Sequence, residues 1–128
     1  MKYLKRYNES VVNDLEVFCE ESLAYLLDNG TLKLKVKEYK TRNAIFLQSK
    51  GFFTSEGVSW LDIKEDFIPF IELLSSKYVM RNKNIDFYVV SDNNKEQLNY
   101  FHLDEINDDL DIKFEKYKIL QIEISLKK

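Results

Sequence analysis

The chain has 128 residues, of which 45% are hydrophobic, including nine Phe, eight Tyr and one Trp. That is enough to bury about two-thirds of the unfolded surface without a disulfide or metal, and too aromatic for a disordered chain. Nineteen Lys and Arg against 22 Asp and Glu give a net charge of −3, which excludes both a histone-like polycation and a strongly acidic DNA mimic.

Cys19 is the single cysteine, so no intramolecular disulfide can form. The first seven residues carry Lys2, Lys5 and Arg6, but no apolar run of signal-peptide length follows them. No stretch approaches the length of a membrane-spanning helix. These features set the expectation of a single domain over 1–128 in a reducing, cytoplasmic setting, with no membrane partner.

A helix is expected from about Ser10 to Asp28, capped by Asn8 or Ser10. Val11, Leu15, Phe18, Ser22 and Leu26 recur at helical spacing, with Leu23 and Leu27 widening the stripe. Asn29-Gly30 closes it. From Thr31 to Lys40 the period falls from 3.6 to 2. Leu32, Leu34 and Val36 alternate with Lys33, Lys35 and Lys37, the pattern of a half-buried strand. Thr41-Arg42-Asn43 is expected to turn the chain, and Ala44–Gln48 to pair back as a second strand.

Gly51–Gly57 reads as a loop in which Phe52 and Phe53 need apolar cover. Ser59 and Asp62 have the spacing of a capping box ahead of Trp60. A second helix runs from there to about Lys77, buried through Phe67, Phe70, Ile71, Leu74 and Tyr78. Pro69 either kinks it or begins a new helix.

Asn84–Ser91 is expected to be a central strand, Asp92–Gln97 a polar turn, Tyr100-Phe101 a short strand and Leu103–Asp108 a helical turn. From Leu110 to Leu126 the even positions are mostly apolar, interrupted by Lys116 and Lys118. That pattern predicts one long strand with a bulge. The expected class is therefore α+β in αββαββ order, an antiparallel sheet of four or more strands with two helices on one face. A permuted ferredoxin-like sandwich would have this order.

Few residue types that carry chemistry are available. His102 is the single histidine and a weak ligand set by itself, so it reads as a cap for the following turn. Cys19 lies among acids that disfavour a thiolate and reads as a small buried side chain. The run Asp104, Glu105, Asp108, Asp109, Asp111 has no glycine and lacks EF-hand spacing; it is either a solvated turn or a patch for a basic partner. No glycine-rich phosphate loop and no nucleophile elbow is present, so no cofactor and no catalytic residue is assigned.

Charge is unevenly spread. Residues 31–50 hold Lys33, Lys35, Lys37, Lys40, Arg42 and Lys50 against Glu38 alone, whereas residues 83–111 hold two lysines against eight acids. Lysines at alternate strand positions share one face of the sheet. They are either the solvated side of an ordinary edge strand or a surface for phosphates, to which Tyr39 or Tyr117 could add base stacking.

The opening Met1-Lys2-Tyr3-Leu4-Lys5-Arg6-Tyr7-Asn8-Glu9-Ser10 resembles the start of small accessory proteins of T-even-like tailed bacteriophages, as does the layout of acidic helix, Lys-rich strand and aromatic segment that follows. The resemblance implies a phage accessory protein made in an infected bacterium and supplies no activity and no catalytic residues. Taken with the small size, the dipolar charge and the lack of catalytic groups, it sets the expectation of a non-enzymatic protein that binds a host protein, for example as an inhibitor of antiviral defence. It would use Lys33, Lys35, Lys37, Lys40 and Arg42 or Asp104, Glu105, Asp108 and Asp109. A nucleic-acid or nucleotide-binding module on the lysine face and a minor virion component are the alternatives.

Overall fold

The computed structural model describes residues 10–50, 56–91, 94–100 and 108–128, and of 10–13, 81–84, 99–100 and 108–109 the backbone alone. Chain order is α1 (Ser10–Ser22), α2 (Ala24–Asp28), β1 (Leu32–Glu38), β2 (Arg42–Ser49), α3 (Trp60–Lys77), β3 (Met80–Ser91), β4 (Asn94–Tyr100), α4 (Asp108–Lys113), a short 3-10 turn (Phe114–Lys116) and β5 (Lys118–Lys127). The five strands form one antiparallel sheet in the order β1-β2-β5-β3-β4. This is the α+β class expected, with α4 and a fifth strand added to the αββαββ plan.

The first helix carries a break at Leu23, which separates α1 from α2. Hydrogen bonds from Leu23 N to Cys19 O and from Leu27 N to Leu23 O bridge the break. Leu15, Cys19, Leu23 and Leu26 form the fully buried line, with Phe18 and Leu27 packed beside it. Gly30 ends the segment at φ 78°, the left-handed geometry that glycine adopts without strain.

The β1–β2 reversal lies one step earlier than expected. Tyr39 N–H donates to Arg42 O at 2.8 Å, so the turn spans Tyr39–Arg42, and Arg42 and Asn43 already belong to β2. Arg42 is held there by partners on β5, described below. Val58 pairs with Ile119 where β2 has stopped, and Trp60 then begins α3. Phe52 and Phe53 lie outside the described residues.

Pro69 neither ends nor restarts α3, which runs unbroken through it. The proline lies on the exposed side, where the carbonyl that loses its amide partner can bond water. The expected capping box does not form. Ser59 occupies the N-cap, but its hydroxyl makes no cap bond; its carbonyl instead accepts from Asp62 N–H at 3.1 Å. Trp60, Ile63, Phe67, Phe70, Ile71 and Leu74 are buried against the sheet.

Two expectations in the second half are corrected. Asp92–Gln97 is not a turn, because β4 begins at Asn94 and pairs with β3 through Tyr100. Leu110–Leu126 is not one strand. Its first part is α4 and the 3-10 turn, which bury Leu110 and Phe114 and leave Ile112 70% exposed. A helix repeats at i, i+4 and a strand at i, i+2, so positions 110 and 114 satisfy both periods. Of the helical turn expected at Leu103–Asp108, residues 103–107 lie outside the described residues, as do Phe101 and His102, and Asp108 begins α4.

All described helices contribute to one core with the same sheet face. Leu15, Leu26, Phe67 and Phe70 of the helices share one buried cluster with Ile45, Leu47, Phe87, Ile122 and Ile124 of the sheet. No described helix is long and apolar enough to cross a membrane.

Candidate functional site: the lysine face of the sheet

Because every described helix packs on one side, the other face of the sheet is free of any described element. Strand register assigns its side chains in rows. Lys33 lies beside Gln48, then Gln121, Tyr88 and Gln97; Lys35 lies beside Phe46, then Glu123 and Asp86; Lys37 lies beside Ala44 and Ser125. The face is therefore basic at the β1 edge and acidic in its centre.

Lys33, Lys35 and Lys37 are exposed, as is Lys40 in the turn. None of them enters an ion pair among the described residues; Lys37 Nζ stands 5.9 Å from the Phe46 ring centroid. Arg42 behaves differently. Its guanidinium donates to Glu123 Oε2 at 3.2 Å and to Ser125 Oγ, and it stacks 4.7 Å from the centroid of Tyr39. Arg42 is thus neutralised by the sheet, while the lysines are not. Gln48 Nε2 donates to Gln121 Oε1 at 2.7 Å, closing the neighbouring row.

The centre holds an electrostatic strain that the residue types alone do not reveal. Asp86 is buried and its Oδ1 receives no hydrogen bond. Burial raises its pKa first and the facing Glu123 adds to this, against smaller lowering effects from a Gln97 hydrogen bond and from Arg42. Tyr88 is likewise raised, by burial and then by Glu123 and Asp86. An acid whose pKa is raised by folding costs stability once ionised. Its penalty grows as pH rises from the ordinary carboxylate range through the folded value, and it persists above that value. Asp86→Asn, which keeps the shape and can donate to Glu123, should stabilise the protein by about 1 kcal/mol at pH 7. The gain should vanish in acid, as denaturant melts at the two pH values would show.

The remaining candidates fall elsewhere. Tyr117 is not an exposed stacking surface: it is 9% exposed, packs edge-on to Phe114 and donates its hydroxyl to Glu96 at 2.9 Å. Cys19 is fully buried, and burial with Glu16 and Glu20 pushes its thiol up to about 12, so no thiolate forms at neutral pH. Asp104 and Glu105 lie outside the described residues. Asp108 and Asp109 begin α4, with backbone alone described. Asp111 has a structural role. It accepts hydrogen bonds from Lys64 Nζ and from Trp60 Nε1, and these hold its carboxyl below the usual range.

Sequence reasoning missed the Asp86–Glu123 pair. The signal is present in Ile85-Asp86-Phe87 and Ile122-Glu123-Ile124, where an acid interrupts an apolar strand at the same phase. No protein-family model matches this sequence, and neither a curated protein nor a solved structure is significantly similar to it.

Proposed function

We propose that the chain is a non-enzymatic binding protein whose contact surface is the basic β1 edge of the sheet. In the setting implied by the N-terminal resemblance, it binds and inhibits a host or defence protein in an infected bacterium. The observation that carries this reading is the row of Lys33, Lys35 and Lys37, exposed and without an ion-pair partner among the described residues, while Arg42 beside them is neutralised. Like charges repeating every second residue stand about 7 Å apart and gain by meeting an acidic surface.

The nucleic-acid reading draws on the same lysines. Against it count Glu123 and Asp86 at the centre of the face, which break a continuous phosphate track, and the burial of Tyr117, which leaves only Tyr39 of the two expected stacking residues exposed, its ring already stacked with Arg42.

The test is the triple variant Lys33→Glu, Lys35→Glu, Lys37→Glu beside the wild-type protein as bait in bacterial lysate, with and without nuclease. Exposed substitutions of this kind should leave stability within about 0.5 kcal/mol. A protein partner that survives nuclease and is retained at least about tenfold less by the variant is the expected result. Equal retention by the variant would dismiss the basic edge as the contact surface. Loss of the partner on nuclease treatment would favour nucleic acid instead.

A further inference from the structure

β1 is a sheet edge, and its outward backbone groups can be assigned. Tyr39 donates to Arg42 across the turn, and in an antiparallel ladder bonded and non-bonded pairs alternate. With the register of β1 on β2, Lys33, Lys35 and Lys37 turn their N–H and C=O groups towards β2. Leu32, Leu34, Val36 and Glu38 therefore point theirs away from the sheet, and no described residue pairs with them.

An edge of this kind is a template for another strand. On the helix side, an open cleft of about 500 Å3 lies beside the first part of β1, lined by Glu20, Leu27, Asp28, Leu32, Lys33 and Leu34. Leu27 and Leu34 are only partly buried there, and Val36, further along the same side of β1, is partly buried as well.

We propose that this edge takes an extended peptide whose residues alternate between acidic and apolar, added to the sheet as a sixth strand. The inference rests on the reading of the basic edge as a contact surface and names the partner's chemistry. An incoming strand sends alternate side chains to opposite faces. Those on the lysine face stand beside Lys33, Lys35 and Lys37 and are matched by carboxylates. Those on the helix side fall against Leu27, Leu34 and Val36, where apolar side chains bury themselves, while Glu20 and Asp28 repel an acid. The two faces thus fix the register, since a slip of one residue sends every carboxylate to the wrong side. A second copy of the chain pairing through β1 is disfavoured, because its lysines would stand against these lysines on the same face.

The probe is a synthetic peptide of alternating glutamate and valine long enough to run the length of β1, used below its own association concentration. It is compared with a scrambled peptide of equal composition and with oligothymidylate. The alternating peptide should bind most tightly, and the triple glutamate variant should bind it about tenfold more weakly. N-methylation of one alternate set of the peptide's amides should weaken binding about tenfold, whereas methylation of the other set should not. Hydrogen exchange should slow at the Leu34 and Val36 amides and remain unchanged at Lys33 and Lys35, which already face β2.

Equal binding of the scrambled peptide or of oligothymidylate, or indifference to both N-methyl sets, would overturn strand addition and leave a purely electrostatic edge. Failure of the wild-type protein to bind the alternating peptide would overturn it as well. Neither of these outcomes touches the lysate result, which judges the basic edge itself.

Discussion

Trp60→Ala should lower the melting temperature by about 10–20 °C, the largest effect of any single substitution considered for this protein. Trp60 is 1% exposed and sits at the junction of three rings, with centroids 5.8 Å from Phe67, 6.0 Å from Phe87 and 5.6 Å from Phe114, each met edge-on. Truncating a buried aromatic of this size costs about 3–5 kcal/mol through lost burial and the cavity left behind. Against a total stability of about 5–15 kcal/mol, that is a large share.

The indole also donates to Asp111 at 2.7 Å, tying α4 to the start of α3. Trp60→Phe separates the two contributions. It keeps most of the ring and loses the donor, so about 1–2 kcal/mol is expected. Urea melts of the two variants check both figures. Near-equal losses would mean that the hydrogen bond, and not the aromatic cluster, dominates at this position.

Gly57→Ala should cost about 3 kcal/mol although the side chain added is a single methyl. A Cβ at this position would lie 2.6 Å from the carbonyl oxygen and 2.9 Å from the carbonyl carbon of Ile119, and 2.8 Å from Lys118 Cβ. The obstruction is mostly backbone in the central strand, which has no room to give. The segment must therefore move away, and two bonds go with it: Val58 N–H to Ile119 O at 2.9 Å and Ile119 N–H to Val58 O at 2.7 Å. Thermal melting should report the loss, and amide exchange at Val58 and Ile119 should accelerate ahead of the rest of the sheet. A wild-type melting temperature would show that the 56–58 crossing is not fixed in solution.

How much of this could be read from the residues depends on how local the cause was. Leu32-Lys33-Leu34-Lys35-Val36-Lys37 states its own phase, so both the strand and the exposed row of lysines were legible. The stripe from Phe67 to Leu74 was legible for the same reason.

The segment 110–117 was misread because Leu110 and Phe114 fit two periods, and only the 70% exposure of Ile112 shows which one the chain adopts. β4 hid behind its composition. An edge strand with a solvated outer side can be built from Asn, Lys, Glu and Gln, and only Leu98 is seen to pack on the core. Arg42 was grouped with the lysines by charge and proximity. Its separation from them is set by Glu123 and Ser125 on a strand 81 and 83 positions away, which no local pattern encodes. The Asp86–Glu123 juxtaposition depends on the same long-range register.

The position of β5 between β2 and β3 has a consequence for the order of assembly on the ribosome. The β1–β2 and β3–β4 hairpins are local pairings that a growing chain can close early. The strand that joins them follows both in chain order, and its ladder reaches back from Lys127 to Arg42. Until residues 118–127 have emerged, the nascent protein therefore holds two separate ribbons, each with an apolar inner edge, at β2 and at β3, open to the wrong partner. Completion of the sheet is a late, long-range closure. Conditions that stall synthesis shortly before β5 would leave the chain at its most aggregation-prone point.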